Sequence, residues 1–129
     1  MTQHTPPAKK HVPGRPFAHW PDPLRLPSGI ELPGTLFPGP MEGIMRDSFC
    51  RAMAARNLVD AWITPFVRIS RGIPRAARLE RRLAPFTDTG RPVIAQIMGT
   101  DTTMLCETAR RIAALPGIVG IDLNCGCPS

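Results

Sequence analysis

The sequence predicts an α/β fold: the N-terminal half of a (β/α)8 TIM barrel, truncated after its fourth strand and preceded by a disordered N-terminal arm. Three observations predict it. Short apolar runs alternate with helical patterns, and the runs start about thirty residues apart, the rhythm of β-α units joined by right-handed crossovers in a parallel sheet. Each run ends in polar or backbone-restricting residues: Pro40-Met41-Glu42, Thr64-Pro65, Gln96 and Asn124-Cys125-Gly126-Cys127. Ligands bind at this carboxyl end in parallel α/β folds, open or closed. Finally, no Gly-x-Gly-x-x-Gly turn follows the first run, which disfavours an open dinucleotide-binding sheet. A whole barrel needs about 250 residues, so a chain of 129 residues covers half of one.

The elements follow in order. Residues 1–34 hold 8 of the 16 prolines and all three histidines, so this stretch reads as an extended, mobile, basic arm. The partial barrel domain is residues 35–129. Leu36-Phe37 begins a first strand, broken by Pro38-Gly39-Pro40. Asp47 or Ser48 caps a helix that ends near Asn57. Ala61 to Thr64 forms the second strand, with Pro65 near its end. Pro74 suits a helix first turn, and Ala76 to Leu83 continues that helix. Val93 to Met98 is the third strand, ended by Gly99. Thr100 or Asp101 caps a helix with an apolar stripe of Leu105, Ala109, Ile112 and Ala113, and Pro116-Gly117 stops it. Val119 to Leu123 is the fourth strand.

Composition narrows the function classes. No apolar run is long enough to cross a bilayer, and no hydrophobic stretch follows the charged start. Four cysteines without a compact repeated spacing suit reduced thiols and a cytoplasmic protein. A net charge of +6 favours polyanionic partners. From residue 35 onward the chain has 12 arginines and no lysine. Six of these, Arg68, Arg71, Arg75, Arg78, Arg81 and Arg82, fall within one short segment. They read either as a solvated helix face or as a phosphate-contacting patch.

Taken alone, the chemistry-bearing residues stay ambiguous. Gln96 can fill a barrel layer or face a ligand, Glu42 can serve a helix N-terminus or a site, and Met41 can pack a core. Cys50, Cys106 and Cys125 read as small buried hydrophobes. Within residues 35–129 the Cys125-x-Cys127 pair lacks the second close pair or histidine that zinc requires.

Four segments, in order and spacing, resemble the tRNA-dihydrouridine synthases: Gly39-Pro40-Met41-Glu42-Gly43, Asp47-Ser48-Phe49, Val93 to Gly99, and Ile121-Asp122-Leu123-Asn124-Cys125-Gly126-Cys127-Pro128. The last is similar to the subfamily acting on the D-loop uridine at position sixteen, as is Ile63 to Arg68, which departs from it at Pro65 where that subfamily carries Glu. The resemblance covers residues 35–129. It implies an oxidoreductase with FMN as cofactor, NADPH as electron donor and tRNA as partner. Cys127 would be the catalytic proton donor. Pro40, Met41, Glu42 and Gln96 would hold the flavin, and Asn124 and Arg68 the substrate. Reducing a pyrimidine double bond takes hydride at one carbon and an acid over the other, and a neutral thiol suits the second task near neutral pH. Because the family's later elements lie beyond residue 129, the chain by itself is expected to bind FMN weakly and to be inactive, with exposed strand edges open to association. Half of another FMN barrel reductase, or a non-catalytic RNA-binding fragment, are the alternatives.

Overall fold

The computed structural model describes residues 23–34 and 36–126. Its elements are β1 (Leu24–Arg25), β2 (Glu31–Leu32), α1 (Asp47–Ala55), β3 (Trp62–Ile63), β4 (Val67–Ile69), α2 (Ala76–Thr87), β5 (Val93–Gly99), α3 (Thr102–Ala113) and β6 (Ile118–Leu123). β3, β4 and β6 all pair with β5, and all in parallel. Such an order, with helices as crossovers, fits part of a barrel and agrees with the expected fold class.

β5 is central because its sequence is apolar on both faces. Its edges take different neighbours. β6 pairs along one edge from Val93 to Ile97. β3 and β4 therefore share the other, as two halves of a single interrupted strand. The break has a register signature: Trp62 pairs with Val93, but Val67 pairs with Ile97. One strand thus spends an extra residue at Thr64-Pro65-Phe66, a β-bulge in effect. Pro65 has no N–H to donate. Thr64 keeps the ladder satisfied: its N–H donates to Ile94 O at 3.1 Å, and its Oγ1 accepts from Gln96 N at 3.1 Å.

Two apolar clusters fix the helices to the sheet. Val67, Ile69, Ala95 and Ile97 pack against Leu79 and Leu83 of α2 and Ile112 of α3. Trp62 and Val93 pack with Cys50, Met45 and Phe86. Trp62 meets Phe86 edge-on, with ring centroids 5.8 Å apart, and its Nε1 donates to Thr89 Oγ1 at 2.9 Å. α3 starts as the sequence predicts, with Asp101 Oδ1 accepting from Met104 N at 2.8 Å. α1 does not: Arg46 occupies the cap position without a side-chain bond, and Asp47 sits in the first turn, paired with Arg51. α2 begins after Arg75, with Pro74 one residue outside, and runs through Pro85 to Thr87, beyond the predicted end at Leu83.

Two expectations are corrected. Leu36-Phe37 forms no strand. Its prolines leave few donors for a ladder, and Leu36 is held instead by a clasp to the fully buried Asp60. Leu36 N donates to Asp60 Oδ2 at 3.0 Å, and Asp60 N donates to Leu36 O at 2.9 Å. The second correction concerns the arm. β1 and β2 pair antiparallel within it, closed by a turn at Gly29 (φ 84) and an Arg25–Glu31 ion pair, with Leu32 fully buried. Proline spacing allows this because none of residues 24–26 or 30–32 is a proline. The remainder of the expected disordered arm, residues 1–22, lies outside the described residues.

Gly34 makes the clasp possible, since a Cβ there would sit 2.6 Å from Asp60 Cγ. Gly34→Ala is expected to cost roughly 1–3 kcal/mol, as overpacking typically does, read as a lower midpoint in urea unfolding.

Candidate functional site

Strand alternation sorts the side chains of β5. Ala95 and Ile97 face the helices, so Ile94, Gln96 and Met98 face the other way. Gln96 pairs in register with Asp122 of β6, and Asn124 lies two residues further along the same face. These three join. Gln96 Nε2 donates to Asp122 Oδ2 at 2.6 Å, and Asn124 Nδ2 donates to Gln96 Oε1 at 3.1 Å. Asn124 Oδ1 accepts from Gly126 N at 3.0 Å, and Asn124 N donates to Ile97 O at 2.9 Å, extending the ladder.

The polarity of this network is fixed by one group. An ionised carboxylate can only accept, so Asp122 turns the NH2 of Gln96 toward itself and the carbonyl oxygen toward Asn124. Gln96 is only 7% exposed, so its orientation is set by these partners and not by water. Sequence reading assigned Gln96 and Asn124 to the site but overlooked Asp122. The i, i+2 spacing of Asp122 and Asn124 was the available signal, because it puts both on one strand face.

The other expected site residues fall into a second group. Arg68 pairs with Met98, on the same face as Gln96, and stacks its guanidinium over Phe66 at 5.4 Å. With Asn124, Cys125, Met98 and Ser70 it lines a depression of about 360 Å3 at the strand ends. Glu42 reaches α2, where Arg82 Nη2 stands 3.3 Å from its Oε2. Pro40 and Met41 lie on the exposed turn before α1, and Met41 N donates to Met45 Sδ at 3.3 Å. Glu42 and Arg68 also border a larger groove of about 780 Å3, which all six clustered arginines line. Cys127, the expected proton donor, lies outside the described residues.

The described cysteines divide by burial. Cys50 is a buried core thiol, as the sequence suggests, but Cys106 and Cys125 are exposed, against expectation. Cys106 occupies the solvent side of α3 and Cys125 the loop after β6. Burial first, and then the Asp47 carboxylate, push the Cys50 thiol up to about 11, outweighing a backbone hydrogen bond that lowers it.

Two outcomes follow from this arrangement. A thiol-reactive disulfide dye at pH near 8 labels Cys106 and Cys125 within minutes, whereas Cys50 reacts only after unfolding. Asp122→Ala strands a buried amide donor and should cost roughly 1–3 kcal/mol in urea unfolding. Asp122→Asn, which keeps an acceptor oxygen, loses less.

Comparison with known proteins gives the family. A family profile described as dihydrouridine synthase matches residues 37–129. A protein of Haemophilus influenzae named tRNA-dihydrouridine(16) synthase is 41% identical over 98 residues, covering 70% of this chain and 30% of that protein. Proteins of the same name from Salmonella typhimurium and Vibrio vulnificus are 39% and 38% identical, with the same coverage. The chain thus spans about 30% of the length of the curated relatives it matches. The profile match takes in Gln96, Asp122 and Asn124 together with the strands that align them, and the chain belongs to the dihydrouridine synthase family.

Proposed function

We propose that this chain supplies the first β-α units of the catalytic barrel of a tRNA-dihydrouridine(16) synthase, which reduces a D-loop uridine of tRNA to 5,6-dihydrouridine with FMN and NADPH. The observation that carries the reading is the oriented amide of Gln96 at the strand ends. Its Nε2 has two hydrogens and its Oε1 two lone pairs. Asp122 takes one hydrogen and Asn124 one lone pair. A second donor and a second acceptor remain on the same amide, held on a rigid strand. That pair suits a planar edge presenting an acceptor beside a donor, as the pyrimidine ring of an isoalloxazine does, so the residues present fit FMN.

When bound and reduced, FMN would supply the hydride for C6 of the uridine. The chain's own residues do the rest. Asp122 holds the Gln96 amide in one orientation, and Gln96 in turn holds Asn124. Asn124 secures the Gly126 backbone N–H, which holds the residue immediately before Cys127 in the sequence. Cys127 carries the proton for C5; a thiol of ordinary pKa near 8.5 is neutral, and so able to donate, at physiological pH. Gly126 before it and Pro128 after it allow close approach while restricting the backbone. Pro40, Met41 and Glu42 would help hold the cofactor, and Arg68, beside Asn124 in the strand-end depression, would contact the nucleotide. No helix among the described residues is long and apolar enough to cross a membrane.

Grafting tests the reading. Residues 37–129 replace the matching segment of the Haemophilus influenzae relative, in a strain lacking that activity, and tRNA nucleosides are analysed by mass spectrometry. Dihydrouridine at position sixteen is expected, with a loss of at least about 100-fold on Cys127→Ala, the scale of general acid catalysis. A grafted protein that binds flavin yet works equally well without the Cys127 thiol would overturn it.

A further inference from the structure

The groove of about 780 Å3 beside α2 is lined by Arg68, Arg71, Arg75, Arg78, Arg81 and Arg82, with Glu42 supplying an acidic group on its wall. We propose that this groove docks the ribose-phosphate backbone of the tRNA next to the base that enters the strand-end depression. The proposal rests on the function proposed above and names the surface that holds the substrate.

Four observations carry it. First, the described arginines outside the groove have partners in the fold: Arg25 with Glu31, Arg51 with Asp47, Arg91 with Asn57, both Arg110 and Arg111 with Glu107, and Arg46 and Arg56 with backbone carbonyls. Among the described residues, Arg71, Arg75, Arg78 and Arg81 of the groove have no such ion pair or side-chain hydrogen bond, and all four are exposed. Their charges are left for something else.

Second, their charges do not favour the helix. Arg78 stands three residues from Arg75 and Arg81 and four from Arg82, so like charges are neighbours on this helix and repel. The first turn of α2 holds no acidic residue, so two cations sit near the helix end that prefers anions. Third, the chemistry matches. A guanidinium fork bonds two phosphate oxygens at once, and a row of such forks suits a phosphodiester chain.

Fourth, the groove adjoins the depression at the strand ends, because Arg68 and Ser70 line both. A strand of RNA that presents a base to Asn124 would lead its flanking phosphates along Arg71, Arg75 and Arg78. An acidic protein or a membrane surface would match the charge alone but not this adjacency. Phosphate contacts position a nucleic acid without reading its sequence, so the effect should be strong in salt and weak in sequence.

The test uses fluorescence anisotropy of a labelled, unmodified tRNA transcript with the 129-residue chain, titrated at several salt concentrations. The quadruple variant Arg71→Gln/Arg75→Gln/Arg78→Gln/Arg81→Gln should bind at least about tenfold more weakly. Its slope of log K against log salt should be shallower by roughly 0.7–0.9 for each phosphate no longer neutralised. Arg110→Gln/Arg111→Gln should change neither. Replacing the same four groove arginines by lysine should retain most of the slope while losing affinity. The quadruple Gln variant should melt no lower than the parent by circular dichroism, since it relieves like-charge pairs, which separates lost binding from lost folding. A parent chain that fails to bind tRNA, a quadruple variant with unchanged slope and affinity, or tighter binding to phosphatidylserine vesicles than to tRNA would each overturn the proposal. The two proposals fail separately. Unchanged tRNA binding in the quadruple variant sinks the groove and leaves the reduction standing. Groove-dependent binding, with no dihydrouridine from the grafted enzyme, does the reverse.

Discussion

Pairing along both edges of β5 is the constraint from which the rest of the structure follows. A strand bonded to β6 on one side and to β3 and β4 on the other cannot slide without exchanging its two faces. That lock keeps Ala95 and Ile97 against the helices and Gln96 on the opposite face. The apolar packing of Leu79, Leu83 and Ile112 then holds α2 and α3 in place, and with them the groove and the strand-end loops. Catalytic geometry is more dependable on such a strand than on a loop, because the backbone has no alternative register.

The polar network at the strand ends completes what the sheet begins. Hydrogen bonds to a charged group are stronger than neutral ones, and this one also gives the network a direction. Without a carboxylate, Gln96 and Asn124 could each rotate by half a turn at little cost, and the array of donors and acceptors shown to a ligand would be undefined. Arg71, Arg75, Arg78 and Arg81 follow the opposite logic. Their charges are kept apart from acids at some expense to the helix, and this marks them as surface kept ready for an anion.

How much of this was legible in the sequence depends on how local each signal is. β5, α3 and β6 announce themselves through continuous apolar runs, the Asp101 cap and the Pro116-Gly117 stop, and the structure places them within a residue or two of expectation. The clasp between Leu36 and Asp60 could not be read, because it joins residues 24 apart through a side chain. The β1–β2 hairpin was hidden by the prolines around it, since composition outweighed the short proline-free stretches. The motifs single out Gln96 and Asn124, whereas Asp122 joins their hydrogen-bond network only through the pairing register. The arginine cluster was visible as a run of charge, but only the fold reveals that its members converge on one groove.

The extra residue at Thr64-Pro65-Phe66 has one more effect. In a strand without it, the pattern that sets Ile63 beside Ile94 would carry Val67 to Met98 and swing Arg68 round to the apolar layer under the helices. The insertion reverses the parity of the strand's second half, so Val67 and Ile69 are swallowed by the core while the guanidinium of Arg68 emerges alongside Gln96. A single proline-bearing irregularity thereby decides whether a cation reaches the depression at the strand ends or is entombed in hydrocarbon.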